Sequence, residues 1–147
     1  MQYPWGKGTP KWTLDATAND SDKSFTVPAG KVWDLRSVEV DFLATATVGN
    51  RSVRMAISNG AAFVHQSIAV VAAASASAVL FIGVGVNGSS TGRPRVVGGG
   101  SATATVNDSL QPMLLPAGYI VRVYDVSAVD VAADDMTVVL HYVEYDA

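Results

Sequence analysis

Apolar side chains recur along this chain with a period of two, not with the period of a helix. In residues 119–126, Ile120, Arg122 and Tyr124 fall on one side and Tyr119, Val121 and Val123 on the other. In residues 136–145, Met136, Val138, Leu140 and Tyr142 line one face, and Thr137, Val139, His141 and Val143 the other. Residues 51–58 set Val53, Met55 and Ile57 on the same side as Arg51, with Ser52, Arg54 and Ala56 opposite. Alternation of this kind predicts strands. The longest candidate, 31–46, carries Trp33 and Leu35 in one phase and then Val38, Val40 and Phe42 in the other. That slip of one residue predicts a bulge, or a strand that changes sheets.

Weaker strand patterns cover 12–17, 23–27 and 101–106, with turn residues at 19–22 and at Asn107-Asp108-Ser109. Asn59-Gly60 is a strong hairpin pair. Residues 61–86 are ambiguous, because pattern alone does not separate strands from an alanine-rich helix. They read as two strands, near 64–72 and 78–86, joined by a small-residue crossing; a short helix in the middle is the other reading. The total is about eight strands spaced as in a sandwich, and no segment carries a capped helical stripe. The fold class expected is all-β: an antiparallel β-sandwich forming one domain over residues 13–147.

The segment 1–12 stands apart. It holds Pro4, Gly6, Gly8 and Pro10 among Tyr3, Trp5 and Trp12. Proline and glycine oppose a regular element there, while the aromatic rings favour burial. It reads as an extended N-terminal arm docking on a neighbouring subunit, its basic Lys7 and Lys11 suited to an acidic partner surface.

Composition supports strands and points to assembly. The chain has 23 Val and 21 Ala against 2 Glu and 4 Lys, a poor supply for surface helices. No Asp, Glu, Lys or Arg occurs between Arg54 and Arg93, a neutral stretch that reads as subunit contact through Phe63, Val64, Ile68 and Val70. Its 19 uncharged residues from 68 to 86 have the length of a membrane span. The weakly apolar centre and the absence of flanking basic or aromatic anchors argue against one. A net charge of −3 argues against a nucleic-acid partner. With no cysteine there is no thiolate metal site or thiol catalysis. No charged start followed by an apolar run marks a secretory signal.

Motifs that spell chemistry lack its context. Gly83-Val84-Gly85-Val86-Asn87-Gly88 matches the dinucleotide fingerprint, but Arg93-Pro94 follows where a helix must carry the phosphate. Gly88-Ser89-Ser90-Thr91-Gly92 matches a nucleophile elbow with neither the strand-to-helix turn nor an oxyanion hole. The carboxylates at Asp20 and Asp22 and at Asp130, Asp134 and Asp135 have the chemistry of calcium ligands without the spacing of a calcium loop. His65 and His141 are too few for an imidazole metal site. Glu39 and Glu144, both inside strands, are a poor basis for a paired-carboxylate hydrolase. No enzyme activity, cofactor or metal is expected.

Two corners echo each other. Phe25-Thr26-Val27-Pro28-Ala29-Gly30 and Met113-Leu114-Leu115-Pro116-Ala117-Gly118 each bring an apolar step to Pro-Ala-Gly and then to a strand, as tight reversals do. They fit equivalent corners in two halves of a sandwich. The string FTVPAGKVWD at 25–34, continuing through Leu35-Arg36-Ser37-Val38, then Val48-Gly49-Asn50-Arg51, and later LPAGYIVRV at 115–123, resembles small jelly-roll virion proteins of tailed bacteriophages. The resemblance spans about residues 23 to 145 and leaves the arm outside it. It implies a jelly-roll sandwich in the virion, assembled in the host bacterial cytoplasm. Members of that family decorate or cement capsids or form neck, tail and fibre parts. With the neutral stretch, the leading expectation is a non-enzymatic homo-oligomer, a trimer or higher, that decorates or cements the capsid by contact with the major capsid protein or other virion proteins. Arm docking through Tyr3, Trp5 and Trp12 would add to those contacts. Two other readings stand beside it: a neck or tail component, and a carbohydrate-binding sandwich using Tyr119 or Tyr124.

Overall fold

The alternating segments become eleven strands in a computed structural model that describes residues 7–67, 69–84 and 104–147. They are β1 (Thr9–Asp15), β2 (Asp22–Thr26), β3 (Lys31–Leu43), β4 (Arg51–Ser58), β5 (Phe63–Gln66), β6 (Val70–Ala72), β7 (Ser77–Val84), β8 (Ala104–Leu110), β9 (Leu114–Pro116), β10 (Ile120–Asp125) and β11 (Asp135–Asp146). The first sheet runs β1-β11-β3-β7-β8, with β9 also beside β3; the second runs β2-β10-β4-β5, with β6 also beside β4. β5 and β6 act as one broken strand along β4. At the break, the Ser67 N–H donates to the Met55 carbonyl and the Met55 N–H to Ser67 Oγ, both at 2.9 Å. Counted so, and with β8 and β9 as additions, the order is that of an eight-stranded jelly roll, successive strands alternating between sheets except where β4 is followed by its own neighbour β5/β6. Every pairing is antiparallel except β7 with β8, which is parallel.

Between the sheets lies the core that the phases foretell. Leu35, Val38, Val53, Met55, Ile57, Leu80, Ile82, Val121, Val123, Val138 and Leu140 have no accessible surface. The slip in β3 is a bulge: Leu35 pairs with Tyr142 and Ser37 with His141, leaving Arg36 between them without a partner across the ladder. Here β3 also changes neighbours, from β9 at Val32–Asp34 to β7 at Ser37–Leu43. The two Pro-Ala-Gly corners meet. Gly30 and Gly118 have φ of +73° and +86°, and the Val27 N–H donates to Tyr119 O while the Gly118 N–H donates to Val27 O. In both turns alanine takes the first corner and proline stands just ahead of it. Glycine's freedom at positive φ is what the reversal requires.

Three expectations are corrected. Residues 9–12 are not part of an arm: they open β1, which pairs with β11 from Thr9↔Glu144 to Asp15↔Val138. Pro10 is tolerated because β1 is an edge strand. Asn107-Asp108-Ser109 is no turn but lies in β8, held by its register with Phe81, Ile82 and Gly83, so tertiary pairing overrides local turn preference. Third, part of the described neutral stretch is the chain's own interior, since Val70, Ala72, Ala78, Leu80 and Ile82 all join the core, while residues 59–64 stay exposed. The crossing between β6 and β7 is a turn at Ala73–Ala76, with Ser75 at φ +57°. Among the described residues no helix is long and apolar enough to cross a membrane.

Candidate interaction surface

The carboxylates that could suggest a metal site are engaged in holding the fold. Asp134 takes two bonds from Arg51, 2.9 Å from Nε and 3.1 Å from a terminal nitrogen, and a third from the Thr45 N–H. Asp130 accepts the hydroxyls of Thr45 and Thr47, which hold its carboxyl below the usual carboxylate range. Asp135 accepts the Asn19 N–H, and Asp20 the Asp22 N–H. Lys23, buried on the inner side of β2, reaches Asp15, Asp20 and the Thr17 carbonyl. Buried charges must be paired in this way, and the network closes one end of the sandwich. Among the described residues no cluster of three metal-ligating side chains occurs.

The outer face of the first sheet is different, because its edge strand carries large apolar groups that are exposed. The register aligns Leu14, Val139, Glu39 and Phe81 in one cross-strand row, and Trp12, His141 and Ser37 in the next. With Asp41 and Val79, all of these residues except Ser37 border a groove of about 650 Å³. Trp12 is 65% exposed and Leu14 47%, so an edge strand presents an indole and an isobutyl group to solvent. His141 Nε2 stands 3.6 Å from Glu39 Oε1, a polar seam across the apolar rows.

The residues expected to make contacts thus have different fates. Trp12 is available, but on a strand of the first sheet and not on an arm. Phe63 and Val64 are exposed on β5, at the edge of the second sheet; a register shift between Ile57 and Ser58 leaves Val64 outside the ladder. Val70 is only 1% exposed and packs in the core, so it makes no subunit contact. Its neighbour Val71, on the opposite face of β6, is the exposed one. Tyr3, Trp5 and Ile68 lie outside the described residues. Lys11, half-exposed, is bonded to Glu144 at 2.6 Å.

Two of the four edge strands, β1 and β5, do not invite a further strand. β1 carries Pro10 and Lys11, and β5 is four residues long and bulged, features that discourage edge-to-edge pairing. Contacts at these places must be made by side-chain faces.

A second groove, of about 620 Å³, lies on the outer face of the second sheet, lined among others by Asp22, Ser24, Ser58, Phe63, Ile120 and Arg122. Arg122 donates from Nε to Asp22 Oδ1 at 2.7 Å and from a terminal nitrogen to Oδ2, and its guanidinium lies 4.3 Å from the centre of the Tyr124 ring. The carboxylate raises the Arg122 pKa further. The sequence carried half of this signal: Ile120, Arg122 and Tyr124 share a side, but which strands flank them is set by the tertiary pairing. No protein-family model, curated protein or solved structure matches this chain.

Proposed function

We propose that the protein is a non-catalytic structural subunit that assembles with copies of itself and with other virion proteins on a bacteriophage particle, as a decoration or cementing component. The observation that carries the reading is the apolar groove on the outer face of the first sheet, where Trp12 and Leu14 are exposed beside half-buried Phe81 and Val79 and buried Val139. Contiguous apolar surface of this kind marks an interaction site. A jelly roll with blunted edges at β1 and β5 and a polar network closing one end suits a rigid brick that makes contacts by its faces. Small side chains and an indole anchor are what a well-packed interface core uses. The bacteriophage assignment rests on the resemblance of the two Pro-Ala-Gly corners and the segments around them.

The test is mass spectrometry of purified particles from cells in which this chain is made. Hundreds of copies per particle support decoration. A dozen or fewer place the subunit at the neck or tail, and absence from particles overturns the reading.

A further inference from the structure

The register rules the outer face of the second sheet into rows. Arg122 stands between Ser24 of β2 and Ala56 of β4; Ile120 stands between Thr26 and Ser58, and Ser58 faces Phe63 of β5. The 620 Å³ groove runs along these rows and falls within the size range of small-ligand sites. Ala56, Gly60, Ala61 and Ala62 contribute almost no side chain to it, which leaves the space between its two ends open.

The polar end is a matched pair. Arg122 and Asp22 are the charged residues lining the groove, and each neutralises the other. The pair is not saturated by its own bonds. A guanidinium has five N–H groups; this one donates two to Asp22 and none to any other described residue. Each carboxylate oxygen of Asp22 likewise keeps a lone pair beyond the one Arg122 uses. Both side chains reach solvent, Arg122 at 41% and Asp22 at 33%. The Tyr124 ring, 4.3 Å from the guanidinium carbon, fixes the orientation of the fork. Spare donors and spare acceptors therefore stand side by side in a held geometry. Ser24 and Ser58 add hydroxyls that both donate and accept. At the other end Phe63, 56% exposed, offers an aromatic face near Ile120.

This combination selects a class of ligand. A groove whose charges cancel holds no surplus cation for a phosphate or a carboxylate. A wholly apolar ligand would strand the polar end without water or partners. A hydroxyl group suits the pair, since it donates to Asp22 while accepting from Arg122, and the C–H face of a sugar ring suits Phe63. We propose that this groove binds a neutral saccharide, with ring hydroxyls on the Asp22–Arg122 pair and on Ser58 and a ring face against Phe63. The site is on the sheet opposite the Trp12 face, so it stands or falls independently of the assembly reading.

A glycan array carrying neutral, sialylated and sulfated glycans, probed with the full chain, tests the class. Neutral glycans are retained, and an added charged group brings no gain. Isothermal titration with the best-retained neutral glycan as the free sugar then tests the residues. Phe63→Ala and the double variant Asp22→Ala/Arg122→Leu, which leaves no charge alone, each lower affinity about tenfold or more, a loss of about 1.4 kcal/mol. Arg122→Lys keeps the charge and loses the planar fork, so it weakens binding in a chain that melts like the parent. Trp12→Ser, on the other sheet, leaves the affinity unchanged. Retention of no neutral glycan, retention of anionic glycans alone, unchanged affinity in Phe63→Ala or Arg122→Lys, or loss of binding in Trp12→Ser overturns the proposal.

Discussion

Arg51 and Asp134 form a two-point ion pair in which both side chains are sealed from solvent. All five guanidinium N–H groups are used: two on Asp134, two on the carbonyls of Thr47 and Gly49 at 2.7 Å, and one on Thr45 Oγ1 at 3.0 Å. The pair ties the first residue of β4 to the residue just ahead of β11, 83 positions away in the chain. Removing one partner leaves the other charge buried and alone. Arg51→Met or Asp134→Asn is therefore expected to cost about 3–5 kcal/mol in urea unfolding, whereas the double variant Arg51→Met/Asp134→Leu recovers a large part of that loss. Equal losses in the single and double variants would show that the pair does not act as a unit.

Two glycines separate crowding from backbone strain. Gly8 has no room: an added Cβ would overlap the Tyr145 ring and a Val143 methyl. Gly118 has open space but a φ of +86°. Gly8→Ala is expected to cost about 1–3 kcal/mol through overpacking. Gly118→Ala should cost about 1–2 kcal/mol through the left-handed backbone alone. Gly118→Asn, which tolerates that conformation better, should recover part of the second loss and has no counterpart at Gly8. Thermal melts of the three variants check both statements.

Deleting residues 1–12 is a structural change as well as a change of contacts. It removes Thr9, Pro10, Lys11 and Trp12 from the ladder with β11, together with the Lys11–Glu144 pair. Four cross-strand pairs at 0.2–1 kcal/mol each put the loss of stability at about 1–4 kcal/mol. A urea midpoint identical to that of the full chain would mean that residues 9–12 of β1 contribute nothing to the folded state.

Acid should destabilise the protein through its tethered carboxylates. The Lys11 ammonium, and then the Trp33 indole N–H, hold Glu144 below its ordinary 4.5, and the hydroxyls of Thr45 and Thr47 hold Asp130 below 3.8. A carboxylate whose pKa is lowered by folding contributes stability above its unfolded pKa and loses it as pH falls through the folded value. Urea midpoints should thus stay level from pH 8 to about pH 5 and decline from about pH 4.5 downward. Glu144→Gln should flatten part of that decline. A profile that begins to fall near pH 6.5 would instead assign the effect to histidine.

The sequence discloses faces more readily than neighbours. Period-two alternation places Leu140, Val121 and Met55 in the core, and the phase slip in β3 marks the bulge at Arg36. These are local consequences of the pleat. Placing Arg51 on the apolar side of β4 was legible too, but its partner Asp134, 83 residues on, was not. Val70 and Val71 show the same limit. A run of small apolar residues has no phase, so it does not reveal that Val70 turns inward and Val71 outward. Nor does local pattern reveal that β11 needs an edge partner, which is why a proline- and glycine-rich start becomes a strand. On the second sheet, the rows joining Arg54 to Tyr124 and Arg122 to Ser24 exist only once β2, β10 and β4 are paired.

Sedimentation velocity on the full chain and on Trp12→Ser tests the assembly face most directly. The parent should sediment as an oligomer whose mass is a multiple of 15.3 kDa, and Trp12→Ser should shift it toward the single subunit with little change in melting temperature. A parent that sediments as one subunit over the whole concentration range, with Trp12 fully quenchable by solvent, would contradict the account.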